Sequence, residues 1–285
     1  MKAFVALLLS ALTAVAAIPP ISTYDSEARE WAKQKIPSQT NTVADVEYSI
    51  ATEYMLLVKS KGLRRLIKRA NLYMGSGLPS MNEPIIADLG GAISTNDVLN
   101  NFVAADYTTN GLTGNGSTTF INAGNFAWGV FTSINNCHLS CYNRSTSSEA
   151  KIVMGMSDGT LGATQAFISY SDVTYISFGG VGGAFAGRTD VQGVGHYEWT
   201  RTGTNFMGVY KNGVEYTNVV AGLTSETPPE VLYVHARDAG GTGDNFSTRQ
   251  LCYYSAGLGM SPEQNLAHSR IVQRAQVRHG RGVNL

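Results

Sequence analysis

The chain has 285 residues, 43% of them hydrophobic, which is enough apolar material for a folded core and excludes a disordered protein. Charged residues make up only 15%, while glycine contributes 31 residues, a mixture typical of many short strands joined by tight turns. The 21 basic residues balance 21 acidic ones, so no net charge directs the chain toward nucleic acid or a membrane surface.

Residues 1–20 form an apolar segment that follows the single charge of Lys2. The small residues at 14–16, just before the prolines at 19 and 20, are typical of a secretory signal peptide, and the run is too short to predict a transmembrane span. The other interpretation is an uncleaved arm that is buried against a partner or an oligomer of the chain itself. Its attaching residues would then be Met1, Phe4, Leu7, Leu8 and Leu9.

Residues 21–75 are predicted to form a helical attachment region. Acidic residues in the first turn and a following proline predict a helix over 25–36. Apolar residues at three- and four-residue spacing predict a second helix over 42–60. Gly62 breaks that helix, and residues 63–72 are predicted to form a third one.

The end of this region is strongly basic. Its cations are Lys59, Lys61, Arg64, Arg65, Lys68 and Arg69. One interpretation is a face that binds an anion or a nucleic acid, and the other is a solvated helix flank or a charged contact to an acidic partner. Apolar residues interleaved at helical spacing favour the second interpretation, so no nucleic-acid partner is predicted.

Residues 76–110, rich in glycine, serine, proline and asparagine, are predicted to be a linker, and beyond them the hydrophobic period changes to two. Strands are predicted at 118–121, 126–134, 150–156, 163–170, 173–178, 196–201, 206–210, 214–216, 231–236 and 250–255. Asn212-Gly213 predicts a two-residue type I′ hairpin turn. Because no helices intervene, these strands predict a sandwich of two antiparallel sheets. A capping box at Ser261 with Pro262 after it predicts a closing helix to about His279.

The three cysteines exclude a complete disulfide framework. Cys137, His138 and Cys141 have the spacing of half a zinc site, but no second ligand pair follows, so ordinary half-buried cysteines are favoured. In an oxidising compartment, the alternative is a bridge from Cys137 to Cys141 or Cys252.

Several motifs, and the order in which they follow one another, resemble the concanavalin A-like (laminin G-like) jelly rolls of bacteriophage structural proteins. The opening of that domain is similar to residues 111–118 and the strand at 120–124, and the family's hairpin is similar to residues 210–214. Residues 254–261 and the helix after them resemble the end of such domains. The basic helical region resembles the segment ahead of the jelly roll, so the likeness covers roughly residues 40–283.

The resemblance implies a mainly β fold: an antiparallel jelly-roll β-sandwich over residues 111–285, with a small helical segment before it and a C-terminal helix. It also implies a virion structural protein (a fibre, a spike, or a capsid or tail decoration protein). Its partners would be other virion proteins through the N-terminal region and host-surface glycans, and it would form homo-oligomers. Residues 1–20 depart from the family's pattern, because such virion proteins carry no secretion signal. The alternative is a secreted, extracellular carbohydrate-binding protein.

No catalytic motif is evident, and the chain is predicted not to be an enzyme. Glycan hydrolases of this superfamily carry two carboxylates on one strand face, about 5 Å apart in retaining enzymes. No predicted strand has that spacing, and solvated edge or turn positions are expected for Asp158, Asp172, Glu198 and Glu215. No nucleophile is evident for the histidines, His138, His196 and His235, and the glycine run at 179–183 lacks the lysine of a phosphate loop.

Aromatic and acidic residues predict binding sites instead. Aromatic faces pack on apolar sugar faces, which predicts a glycan-binding platform from Trp128, Tyr170, Tyr175, Tyr197 and Trp199. Aromatic residues on strands more often belong to the core, so about two in three of these are expected to be buried. The glycine-rich loop between Asp238 and Asp244 is a candidate Ca²⁺ site, with a plain loop held by Asx turns as the alternative. No other cofactor is predicted.

Overall fold

The computed structural model describes residues 25–35, 41–88, 96–125, 135–146, 149–157, 163–170, 173–177, 193–219 and 231–283. The helices are α1 (Ser26–Lys35), α2 (Asn41–Ser60), the short α3 (Leu78–Met81) and α4 (Pro262–Arg278), and a 3₁₀ turn spans Ala104–Asp106. The strands are β1 (Ile67–Asn71), β2 (Ile86–Ala87), β3 (Val98–Asn100), β4 (Tyr107–Thr108), β5 (Gly111–Thr113), β6 (Phe120–Asn125), β7 (Cys137–Asn143), β8 (Met154–Ser157), β9 (Ala163–Tyr170), β10 (Val173–Ser177), β11 (Gly195–Arg201), β12 (Met207–Lys211), β13 (Val214–Val219), β14 (Val231–Val234), β15 (Arg237–Asp238), β16 (Gly243–Asp244) and β17 (Gln250–Gly257).

The strands form two sheets. The helix-side sheet has the order β13-β12-β11-β7-β17-β1-β2, with β5 paired to β17 and β4 paired to β5. The outer sheet has the order β10-β9-β8-β14-β6-β3, and the small hairpin of β15 and β16 joins it through a parallel pairing of β15 with β8. The mainly antiparallel sandwich with a helical segment before it and a closing helix, as predicted from the sequence, is confirmed.

Each face of the helix-side sheet packs on a different layer. Between the sheets, side chains such as Leu139, Trp199 and Val209 pack against the outer sheet's Ile121, Met154 and Val234. On the opposite face lie α1, α2 and α4, whose apolar side chains pack on strand residues such as Tyr142 and Tyr253. Because both faces are covered, all seven residues of β11 are buried. The protein therefore has three layers, with the helix-side sheet in the middle.

The segment predicted as a third helix is a strand. Residues 67–71 form β1, which pairs with β17 in the helix-side sheet, and that prediction was wrong. The spacing of apolar residues from Leu63 onward suits a helix, but a place between β17 and β2 supplies this backbone with hydrogen bonds on both edges. Gly257 permits the close approach, since a Cβ there would lie 2.0 Å from the carbonyl oxygen of Leu66.

The basic residues near β1 make ion pairs within the chain. Lys59 binds Asp25 at 2.7 Å, and Arg64 binds Glu27 at 2.6 Å, so these cations join the start of α1 to the end of α2. Burial alone raises the pKa of Glu27, but the hydrogen bonds from Arg64 and Lys59 outweigh that effect and lower it. Two of the six cations, Lys59 and Arg64, therefore have their acidic partners within this chain, at the start of α1.

The segment at 76–110, predicted as a linker, contains strands of both sheets. β2 pairs with β1 in the helix-side sheet, and β3 pairs with β6 in the outer sheet. These strands are only two or three residues long, too short to show an alternating pattern. The glycine and proline residues around them are typical of a loop.

Two local predictions are confirmed at the residue level. Asn212 and Gly213 have φ values of 54° and 80°, and Lys211 pairs with Val214, which is the geometry of a two-residue type I′ turn. At the start of α4, the Ser261 hydroxyl accepts a hydrogen bond from the Gln264 amide at 3.3 Å. In return, the Gln264 side chain accepts one from the Ser261 amide at 2.8 Å.

Replacing Ser261 with alanine is expected to lower the free energy of unfolding by about 1 kcal/mol, because one N-terminal amide of α4 loses its acceptor. Urea denaturation followed by circular dichroism measures the change. The matched control is Ser261→Asp, because aspartate also caps helices and should retain the stability. Equal losses in the two variants would contradict the capping role.

Among the described residues, no helix combines the length and the hydropathy needed to span a membrane.

Candidate functional site

The described part of the predicted aromatic platform lies inside the protein. Tyr197 and Trp199 are both 0% exposed and stack on each other with ring centroids 5.9 Å apart in the core between the sheets. Alternation along β11 turns both rings toward the outer sheet, because residues two apart share a strand face. They cannot contact a glycan, and for these two residues the platform prediction was wrong.

The other platform residues are only partly described. Tyr170 and Tyr175 lie on the paired strands β9 and β10, but their side chains are outside the described residues, as is all of Trp128. The attachment residues predicted at the N-terminus, Met1, Phe4, Leu7, Leu8 and Leu9, are also outside the described residues.

Both carboxylates of the predicted calcium loop are held by the protein's own groups. Asp244 forms a paired contact with Arg237, whose Nε donates to Oδ1 at 2.9 Å. Asp238 is 2% exposed and accepts a hydrogen bond from the Gly241 amide at 2.7 Å. Burial, with the nearby charge of Asp244, raises the pKa of Asp238. These bonds hold the hairpin of β15 and β16, and a Ca²⁺ ion there stays a prediction.

The three residues of the predicted half zinc site cannot share an ion, because they lie on opposite faces of β7. Cys137 and Cys141 point into the core between the sheets, whereas His138 points toward the helices, where its Nε2 lies 3.2 Å from the Ser255 hydroxyl. All three cysteines are free and buried, and burial raises the pKa of Cys137 to about 12 and that of Cys252 to about 11. They pack as apolar side chains, fully rather than half buried.

Glu198, expected at a solvated edge, is 1% exposed and lies between β11 and α4. Burial raises its pKa, and its Oε2 lies 2.6 Å from Nδ1 of His268. The expectation of a solvated carboxylate was therefore wrong at this position, because α4 covers the strand face on which Glu198 stands.

A surface groove with a volume of about 610 Å³ lies where β4 meets the first half of α2 and the end of α4. Residues from four separate segments line it: 46–47, 75–76, 107–109 and 278–279. The volume falls in the range of small-molecule pockets, about 300–1,000 Å³. No local sequence pattern predicts this groove, because its walls meet only when α4 packs against α2.

Polar groups in the groove are fixed by hydrogen bonds. The Tyr107 hydroxyl lies 2.8 Å from the Gly75 carbonyl oxygen and donates to it, and burial raises its pKa to about 12, so it stays protonated. Oε1 of Glu47 accepts from the Gly75 amide at 2.7 Å and lies 3.5 Å from Nε2 of His279. The groove thus joins one aromatic ring with a carboxylate and an imidazole.

A cation stands at the rim. Arg278 is held toward α2 by hydrogen bonds to Glu53 at 2.5 Å and to the Ser49 hydroxyl at 3.0 Å. Burial alone raises the pKa of Glu53, but the bonds from Arg278 and Arg274 outweigh it and lower the pKa. An apolar wall with fixed donors and acceptors can hold a polar ligand that also has an apolar face.

No family model matches the sequence, and no curated protein matches it. Among solved structures, domain 4 of an extracellular arabinanase from Geobacillus stearothermophilus, in complex with arabinotriose, is similar at 15% identity with a TM-score of 0.45, covering 63% of this chain and 82% of that one. A carbohydrate-binding module of a Ruminococcus gnavus sialidase, bound to α2,3-sialyllactose, shares 9% identity at a TM-score of 0.42, with coverage of 56% and 95%. Trypanosoma rangeli sialidase in complex with sialic acid shares 11% identity at a TM-score of 0.48; 82% of this chain and 39% of that chain are covered. A likeness at this level assigns no ligand and no activity to this chain.

Proposed function

We propose that this chain is a non-catalytic recognition protein that binds a glycan in the groove beside Tyr107. The carrying observation is the groove itself: about 610 Å³ of open volume with an aromatic ring, a carboxylate, an imidazole and a guanidinium held around it. Sugars present apolar faces and rows of hydroxyls, which suit an aromatic wall and fixed polar groups respectively. The aromatic residues of β11 play no part, because they are buried.

At a finer level, we propose that the protein is a bacteriophage virion component. Support comes from the resemblance of residues 40–283 to phage jelly rolls. The β-sandwich faces outward, and the arm at residues 1–20 and the helical region at 21–75 attach the protein to capsid or tail partners or to further copies of itself. The alternative is a secreted carbohydrate-binding protein, and the apolar segment at 1–20 supports it as well, because it also has the form of a signal peptide.

Filling the groove is expected to abolish glycan binding. Val46 is 47% exposed and lines the groove, so Val46→Trp places an indole where the ligand would lie. The matched control is Val214→Trp, at a residue that is 66% exposed on the hairpin near the start of α4. The control position is far from the groove. Gly213, next to Val214, contacts Leu266 in α4, and the groove residue His279 lies 13 residues further along that helix, about 20 Å away.

A glycan array, run with and without Ca²⁺, gives the measurement. We expect the unmodified protein and V214W to bind one glycan class and V46W to lose at least tenfold in affinity. No binding to any glycan would refute the recognition proposal. Equal binding by V46W and V214W would place the site elsewhere on the surface.

Mass spectrometry of the mature N-terminus separates the virion proposal from the secreted alternative. A docking arm requires chains that still begin at Met1 in purified particles. Chains that begin near Ala17 or Ile18 would instead indicate a cleaved signal peptide and a secreted protein.

A further inference from the structure

A cluster of buried histidines lies between the helix-side sheet and α4, away from the groove proposed for glycans. His196 and Glu198 are two residues apart on β11 and therefore stand on the same strand face, the one that α4 covers. His268 projects from α4 toward them, and all three side chains are at most 1% exposed. One ligand atom from each lies within 4.8 Å of the other two.

Several polar atoms of this cluster have no hydrogen-bond partner. Both ring nitrogens of His196 and Oε1 of Glu198 are buried without one. Buried polar atoms in folded proteins nearly always have a hydrogen-bond partner, so three without one in a single cluster need an explanation. They all belong to the two β11 residues, and they stand beside the contact of Glu198 with His268.

We propose that His196, Glu198 and His268 bind Zn²⁺ or a similar divalent transition-metal ion, which joins β11 to α4. Two imidazoles and a carboxylate form a ligand set that zinc uses, and they leave a fourth position for water. On binding, the ion takes the place of the proton between Nδ1 of His268 and Oε2 of Glu198. That proton leaves to solvent, and the imidazole stays neutral with its other proton on Nε2, which faces the Tyr253 hydroxyl. The 2.6 Å contact between Nδ1 and Oε2 then opens, because metal–ligand bonds of about 2.0–2.2 Å need more room.

Further side chains hold the proposed ligands in place. Nε2 of His268 lies 2.8 Å from the Tyr253 hydroxyl, which is itself 3.0 Å from the hydroxyl of Tyr54 on α2. A bond on this second ring nitrogen orients the imidazole and leaves Nδ1 for the ion. The His196 and His268 rings meet edge to face with centroids 5.2 Å apart. The ligands thus come from a strand and a helix, with a second helix supporting them.

The test uses the full chain, first as purified and then after dialysis against a chelator. We expect inductively coupled plasma mass spectrometry to find about one equivalent of metal in the purified protein. The dialysed protein should develop the visible absorption of tetrahedral cobalt when Co²⁺ is added. Zn²⁺ at 100 times its Kd should raise Tm by about 5–10 °C.

Matched histidine variants give specificity. His196→Asn should lose both the metal and the cobalt absorption. His235→Asn should keep both, although His235 is equally buried and also lacks partners for its ring nitrogens, because no metal-ligating cluster among the described residues includes it. If His196→Asn does not fold, Glu198→Gln replaces it.

The unmodified protein decides the matter in any case. A dialysed chain that shows neither cobalt absorption nor a Tm response to Zn²⁺ would overturn the proposal. Metal binding that survives in both ligand variants would also overturn it. Glycan binding is measured separately, so its failure does not affect this result.

Discussion

Replacing Asp97 with asparagine is expected to lower the free energy of unfolding by about 3–5 kcal/mol, because it leaves a buried arginine without its counter-charge. Asp97 and Arg69 are each 1% exposed, and Nη2 of Arg69 lies 2.7 Å from Oδ1 of Asp97. The Tyr254 hydroxyl donates to the same oxygen at 2.5 Å, and the Asn71 side chain donates to Oδ2 at 2.8 Å. Arg69 belongs to β1, and Asp97 directly precedes β3, so the pair ties the helix-side sheet to the outer sheet.

Urea denaturation measures this loss, and an exposed ion pair provides the control. Glu30 and Lys33 on α1 form a contact of 2.6 Å, but both side chains are about two-thirds exposed, at 68% and 67%. Removing that pair with Glu30→Gln should change the stability by less than about 0.5 kcal/mol. If Asp97→Asn cost no more than this control, the buried pair would not be a structural tie between the sheets.

Acidification from pH 7 to pH 5 is expected to cost the protein about 2 kcal/mol through His235 alone. Burial lowers the pKa of His235 to about 3, and both of its ring nitrogens lack a partner among the described residues. In the unfolded chain, the same ring has a pKa near about 6.5. Between these values only the unfolded state takes up the proton, so stability is complete above pH 6.5 and is lost as the pH falls toward 3.

The measurement is the unfolding free energy of the unmodified protein and of His235→Asn at several pH values. Asparagine tolerates the left-handed backbone at this position, where φ is 68°. The variant is expected to be less stable at pH 7, but the gap to the unmodified protein should narrow by about 2 kcal/mol at pH 5. A gap that does not change with pH would show that His235 takes up no proton on unfolding in this range.

Local patterns predicted much of the sandwich correctly. Period-two stretches marked β9, β11, β12 and β17 to within two residues at their ends. The Asn212-Gly213 turn and the Ser261 cap were predicted residue by residue. In each case the physical cause acts within a few residues: side-chain alternation on a strand, positive φ in a tight turn, or a hydroxyl that reaches a nearby amide.

The predictions that failed depended on distant partners. Residues 67–71 have a helical pattern, yet β17, nearly 190 residues further on, makes them a strand. The sequence predicts Glu198 at a solvated edge, but α4 covers it. It predicts Tyr197 in a binding site, but the outer sheet covers that ring. Arg69 resembles a surface cation until Asp97 meets it in the interior.

The sequence by itself determined the strand and turn chemistry, the closing helix and therefore the fold class. Only the tertiary structure decided which face of each strand is covered, since the same alternation suits an exposed sheet and a buried one. It also brought together Tyr107, Glu47 and His279 in the groove, and His196, Glu198 and His268 in the buried cluster. Such sites join residues up to about 230 positions apart, and their geometry arises from packing the helical layer on the sheet rather than from any local pattern.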